Sequence, residues 1–92
     1  MFLQGDLQAV FDALFTIGAI DPVLRADWRL IQEQMDQEPE KLSSVLASIN
    51  SCAGDRELLM QRLHSLEPDT LSFVALEVAR ELAEYTERQA LH

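Results

Sequence analysis

The chain has 92 residues and is strongly acidic, with 16 Asp and Glu against 7 Lys and Arg and a formal net charge of −9. Phosphate binding and docking on anionic membranes both require clustered basic residues, so we expect no nucleic acid and no membrane among its partners. The length suits a single domain, residues 1–92, because it leaves no room for a second independent core.

The sequence also indicates a compartment. No apolar run approaches the roughly 20 residues that a membrane-spanning helix needs. The N-terminal stretch MFLQGDLQAVF has no positive residue and includes Asp6, which is not typical of a signal peptide. Cys52 is the only cysteine, so no intrachain disulfide can form. These features predict a soluble, cytoplasmic protein.

Helical spacing of apolar residues recurs along the chain, whereas strand-like alternation does not persist. We therefore predict an all-α fold, a compact bundle of about five helices in a single domain. The predicted helices cover approximately residues 6–18, 22–36, 40–52, 55–66 and 69–90. The short connections favour antiparallel packing of neighbouring helices.

The first predicted helix has a broad apolar face and ends at Gly18. That face comprises Leu7, Val10, Phe11, Leu14 and Ile17, and Phe15 widens it. Glycine is a common residue just beyond the C-terminus of a helix, because it adopts a left-handed backbone conformation without steric cost.

The second predicted helix has a clear start signal and one apolar edge. Asp21 is suited to the N-cap, and Pro22 is suited to the first helical position. The edge expected to face the core comprises Leu24, Trp28, Ile31 and Met35.

Prolines and an aspartate mark the starts of the last three predicted helices. Pro39 opens the third, Asp55 caps the fourth, and Pro68 suits the first turn of the fifth. The fifth is apolar nearly all round over residues 71–79 and charged after that, so its first half should be the buried centre of the bundle.

The third predicted helix lies in a charge-free stretch, residues 42–54, whose outer face is made of small residues. Ser44, Ser48 and Cys52 follow one another at intervals of four. A helix flanked on both sides by its own bundle would have this composition, and so would a helix that a partner approaches closely. We favour internal packing, and exposed serines would make the strip the first place to look for a partner.

The N-terminal region concentrates aromatic and acidic residues. Phe2, Phe11 and Phe15 lie within fifteen residues, and residues 1–21 contain three aspartates and no positive charge. A wide apolar face with an acidic fringe suits a central packing element and a dimer seam equally well. The candidate partner or dimer surface comprises Phe2, Leu3, Phe11, Phe15, Ser44, Ser48 and Ser51.

The sequence contains no recognisable catalytic, cofactor or metal motif. Cys52 and His64 are twelve residues apart without an orienting third group, and we expect a buried thiol and a partly exposed histidine. The acidic run around Asp36 superficially resembles a calcium loop, but Lys41 and Ala47 replace the required glycine and glutamate. We therefore predict no enzyme activity, no cofactor and no metal.

Protein binding is the remaining class of function, and no motif identifies a family. We predict a small acidic helical protein–protein interaction domain that acts as an adaptor or regulatory subunit, and we expect it to be a homo-oligomer. The alternative is a cytosolic chaperone-like protein of the secretion-chaperone type, which shields a hydrophobic helix of a client. A thiol-dependent or acid–base enzyme is the least favoured hypothesis.

Overall fold

A computed structural model describes the backbone of residues 4–90 and the side chains of residues 5–88. Within this part of the chain there are six helices and no strand, which confirms the all-α prediction. The helices are α1 (Gln4–Thr16), α2 (Ile20–Arg25), α3 (Trp28–Gln37), α4 (Pro39–Ser51), α5 (Arg56–His64) and α6 (Pro68–Ala90). Phe2 and Leu3, two residues of the predicted partner surface, lie outside the described residues.

Several helix boundaries follow the local signals in the sequence. α4 begins at Pro39 and α6 begins at Pro68, where the missing backbone N–H leaves no helical hydrogen bond unmade. Asp55 is the N-cap of α5, and its carboxylate accepts a hydrogen bond from the backbone N–H of Leu58 at 3.2 Å. These three of the four start signals predicted from the sequence are confirmed.

The end of α1 is a Schellman motif centred on Gly18. The N–H of Gly18 donates to the carbonyl of Phe15 at 3.1 Å, and the N–H of Ala19 donates to the carbonyl of Leu14 at 2.9 Å. Gly18 has a φ of +77°, a left-handed conformation that favours glycine. The chain therefore reverses within three residues, 17–19, and α2 begins next to the end of α1.

The prediction of one helix over residues 22–36 is wrong, because this segment forms two helices. Ala26 is extended, with a ψ of 164°, and Asp27 caps α3 by accepting a hydrogen bond from the N–H of Arg29 at 3.0 Å. The predicted N-cap role of Asp21 is also wrong. α2 begins at Ile20, so Asp21 lies in its first turn, 3.7 Å from the Arg25 guanidinium.

The core is one continuous cluster around the first half of α6. α6 packs against α1, α2, α3 and α4. Its buried residues confirm the predicted centre of the bundle: Phe73, Val74, Ala75, Leu76 and Val78. The radius of gyration of 12.7 Å is close to the value of about 12 Å expected for a single domain of this length.

The longest described helix, α6, carries charged residues along its second half. No described helix combines the length and the apolar character that a membrane span requires.

Candidate interaction surface

The break between α2 and α3 opens a groove over α6, which we call the elbow groove. It has a volume of about 370 Å³ and lies where the two short helices meet the second half of the long one. It is lined by Val23, Leu24, Ala26, Trp28, Leu76, Ala79, Arg80 and Ala83. Seven of these eight residues are apolar, and the alanines of α6 form a smooth floor.

Two large apolar side chains in the elbow groove are exposed, against the prediction that they face the core. Leu24 is 69% exposed and Trp28 is 54% exposed, whereas Met35 of the same predicted edge is buried and Ile31 is partly buried. The cause is the break at residues 26–27. It turns α2 so that Ile20 and Val23 reach the core, and Leu24 is left outside.

Three arginines lie in or beside the elbow groove. Arg80 lines it and donates a hydrogen bond to the side-chain carbonyl of Gln32 on α3. The Arg29 guanidinium lies over the Trp28 ring, 5.7 Å from its centroid, a cation–π distance. Arg25 follows Leu24 directly and is exposed.

The rim of the elbow groove is less acidic than the rest of the chain. Residues 20–31 contain two aspartates and two arginines, and on α6 the groove-lining Arg80 is followed by Glu81 and, one turn further on, by Glu84. The Asp27 carboxylate is engaged by a backbone N–H at the start of α3. Arg25 is paired with Asp21 at 3.7 Å, whereas the Arg29 guanidinium lies over the Trp28 ring. The rim of the groove therefore carries charges of both signs.

The second candidate surface is the outer face of α4, which we call the serine strip: Ser44, Ser48 and Ser51. Ser44 and Ser51 are exposed, but Ser48 is half-buried. The Arg62 guanidinium of α5 donates a hydrogen bond to the Ser48 hydroxyl at 2.9 Å, and the Ser51 hydroxyl donates to the Ser48 carbonyl at 2.7 Å. A charged side chain of the neighbouring helix therefore covers the middle of the strip.

The inner face of α4 agrees with the prediction that this helix is flanked by its own bundle. α4 packs against α3, α5 and α6, with Leu46 and Ile49 buried. Cys52 is also buried, and its thiol donates weakly to the carbonyls of Ser48 at 3.5 Å and Ile49 at 3.4 Å. Internal packing accounts for the large apolar residues of this helix, whereas most of its small neutral residues are exposed: Ser43, Ser44, Ala47, Asn50 and Ser51. The serine strip therefore stays a second candidate surface for a partner.

The two described phenylalanines of the predicted partner surface point in different directions. Phe11 is partly buried against the core, whereas Phe15 is 66% exposed and does not widen the buried face of α1. One turn before Phe15, the exposed Asp12 accepts a hydrogen bond from the Gln8 amide at 3.0 Å. The outer face of α1 therefore places an aromatic side chain beside a carboxylate.

Among the residues that the structure describes, no group of three or more His, Cys, Asp and Glu side chains is arranged to hold a metal ion. Cys52 is buried and His64 is exposed, as expected from the sequence. His64 borders a shallow surface depression formed entirely by residues 56–65, that is, by one face of α5 and the residue after it.

The Glu77 carboxyl has a raised pKa, which follows from its position in the bundle. It is half-buried in a cleft of about 280 Å³ between α3, α4 and α6, which Asp36 also borders. Burial raises the pKa of Glu77 above its ordinary value of 4.5, and repulsion from Glu81 and Glu84 raises it further, against the attraction of Arg80. The carboxyl is one turn from the groove-lining Arg80 on the same helix.

Sequence reasoning missed the elbow groove because it assigned Leu24 and Trp28 to a continuous amphipathic helix. One signal was available: Asp27 is a strong N-cap residue directly before an apolar-periodic segment. Its presence permits a new helix start at Trp28. Helical periodicity runs across the break and hides it, because α2 and α3 have apolar residues in nearly continuous register.

Comparisons of this chain with known protein families, with curated proteins and with solved structures found no match.

Proposed function

We propose that this chain is a small acidic helical protein–protein interaction domain that works as an adaptor or regulatory subunit and self-associates through the elbow groove. The observation that carries the proposal is the exposure of Leu24 and Trp28 beside an alanine floor on α6. A large aromatic side chain in a concave apolar site is typical of the centre of a protein interface.

The chemistry of the rim supports the same function. Tryptophan and arginine are enriched among the residues that contribute most to binding energy, and both are present here. Arg29 and Arg80 are already oriented by Trp28 and Gln32 respectively. Side chains that are positioned before binding lose less conformational entropy when a partner arrives.

The size of the domain gives a physical reason for self-association. A single core in a chain of this length supplies only a small margin of stability, and oligomerisation is a common supplement. Covering Leu24 and Trp28 would remove apolar surface from water, with a gain of about 25 cal/mol for each Å². That gain is available to a second copy without any change in the bundle.

Trp28 is the only tryptophan, so it reports directly on the groove. The experiment combines light scattering with tryptophan emission from about 1 μM to about 1 mM, the range of weak to moderate affinities. We expect the mass to rise from 10.4 kDa towards twice that value, with a shift of Trp28 emission to shorter wavelength over the same concentrations. A strict monomer with constant emission contradicts the proposal.

A matched pair of variants assigns the association to the groove. Leu24→Ser should weaken it, because Leu24 lines the groove. Leu30→Ser removes an equally large side chain, 59% exposed on α3, that does not line the groove. Association that survives Leu24→Ser and is lost in Leu30→Ser would place the interface elsewhere.

A further inference from the structure

We infer that the elbow groove is occupied by the outer face of α1 from a second copy of this chain, with Phe15 inserted beside Leu24 and Trp28 and Asp12 facing Arg29. This inference rests on the proposed self-association and names the surface that fills the groove. The arrangement is reciprocal: Phe15 of each copy lies in the elbow groove of the other.

The occupant of the groove provides an exposed aromatic side chain, Phe15, which its own bundle leaves largely uncovered. Phe15 is 66% exposed, and only Leu24 is more exposed among the large apolar side chains of the described residues. An aromatic ring of this size fits a groove of about 370 Å³ as a single anchor. Docking would cover both of the most exposed apolar side chains at once.

The outer face of α1 and the elbow groove also carry opposite charges beside their apolar side chains. α1 carries Asp6 and Asp12 and no Lys, Arg or His. On the groove side, the Arg29 guanidinium lies over the Trp28 ring, whereas Arg25 is paired with Asp21 at 3.7 Å. Complementary charges select a partner surface and its orientation. Asp12, one turn before Phe15, is therefore the charge expected to meet Arg29 when Phe15 docks beside Trp28.

The chain path makes a closed dimer possible. Only residues 17–19 separate α1 from α2, and the Schellman turn at Gly18 keeps the two helices in contact. The anchor and the groove thus belong to neighbouring elements of one molecule. A two-fold axis passing between them pairs both surfaces twice, and two-fold dimers are the commonest symmetric oligomers.

The first test removes the anchor. Phe15→Ser should weaken self-association about tenfold or more, read as the shift in the concentration midpoint of solution mass. Because Phe15 is exposed, its replacement removes no core contact, and circular dichroism verifies the fold. Leu58→Ser is the matched control, since Leu58 is 42% exposed on α5 and does not line the groove. Unchanged association in Phe15→Ser overturns the inference.

The second test exchanges the charges. Asp12→Arg alone and Arg29→Glu alone should each weaken association, and the double variant should recover most of the lost affinity. Solution mass is the readout, because Arg29 lies over Trp28 and its replacement would alter the emission. Arg29→Glu suits the first turn of α3, where negative charge is favourable. If the double variant loses affinity by the sum of the two single losses, with no recovery, the inference is overturned.

The outcomes separate this inference from the proposed function. A wild-type chain that remains monomeric contradicts self-association itself. A wild-type chain that dimerises, loses the dimer in Leu24→Ser and retains it in Phe15→Ser leaves the groove as the interface and removes α1 as its occupant.

Discussion

The serine strip and the elbow groove are both candidate interaction surfaces, yet neighbouring side chains cover them to different extents. Arg62 reaches from α5 to Ser48 and covers the middle of the strip, and Leu46 and Ile49 are buried on the inner side of α4. In the elbow groove, Leu24 and Trp28 remain more than half exposed, although the Arg29 guanidinium lies over the Trp28 ring. A neutral face therefore indicates a partner only where the neighbouring helices leave large apolar side chains exposed.

The largest effect is expected on the free energy of unfolding, when a substitution on the buried face of α4 is compared with one on its exposed face. Ile49→Ala should lower the free energy of unfolding by about 2–5 kcal/mol, because Ile49 is fully buried and its truncation leaves a cavity. Ser44→Ala on the exposed face is the control and should change it by less than about 0.5 kcal/mol. Chemical denaturation measures both. Equal losses would show that the outer face is also packed.

A smaller effect is expected at the elbow. Asp27→Ala should cost about 1 kcal/mol, because the Asp27 carboxylate caps α3 through the N–H of Arg29. Asp55→Ala removes the corresponding cap of α5, away from the groove, and should cost a similar amount. Only Asp27→Ala should also weaken self-association. If both variants weakened it equally, the effect would come from stability and not from the shape of the groove.

The next effect concerns Glu77. Because its pKa is raised in the folded state, the folded protein binds this proton more tightly than the unfolded chain does, and stability falls as the pH rises through the folded pKa. Glu77→Gln should therefore raise the melting temperature at neutral pH. The gain should disappear below the ordinary pKa of 4.5, where the carboxyl is protonated in both states.

The control for Glu77→Gln is Glu33→Gln, which removes the same charge from an exposed position on α3. It should raise the melting temperature less, since it relieves only the general repulsion of an acidic chain. Equal gains from the two variants would contradict a specific effect of burial at Glu77.

The smallest effect is expected in the serine strip. Ser48→Ala and Arg62→Ala each remove the 2.9 Å contact between α4 and α5, and a double-mutant cycle should give a coupling of about 0.5 kcal/mol. Neither variant should change the solution mass over the concentration series. Stronger self-association in Arg62→Ala would show that uncovering the strip creates a second interface.

Local signals in the sequence predicted most of the fold. Pro39, Asp55 and Pro68 begin helices, and Gly18 ends one, because each acts through its own backbone or on a backbone group within three residues of it. The apolar stretch at residues 71–79 predicted the centre of the core, since a helix that is hydrophobic all round must be buried. These features can be predicted without knowing how the rest of the chain packs.

The interaction surface depended on tertiary structure. Periodicity places Leu24 and Trp28 on the same edge as Ile31 and Met35, but it cannot tell which members of the edge the neighbouring helices reach. The prediction treated residues 22–36 as one straight helix, and the break at 26–27 exposes the first two members and buries the last. Phe15 differs from Phe11 for a related reason, because α5 and α6 cover only one side of α1.

What the sequence by itself determined was the helical class, most helix ends and the buried centre, all of which arise from interactions within a few residues of one another. Only the tertiary structure decided which apolar side chains remain in contact with water, because exposure depends on where distant helices pack. The elbow groove is one of the features that only the packing of distant helices decides. Its candidate role in self-association follows from two exposed side chains that a continuous helix would have placed in the core.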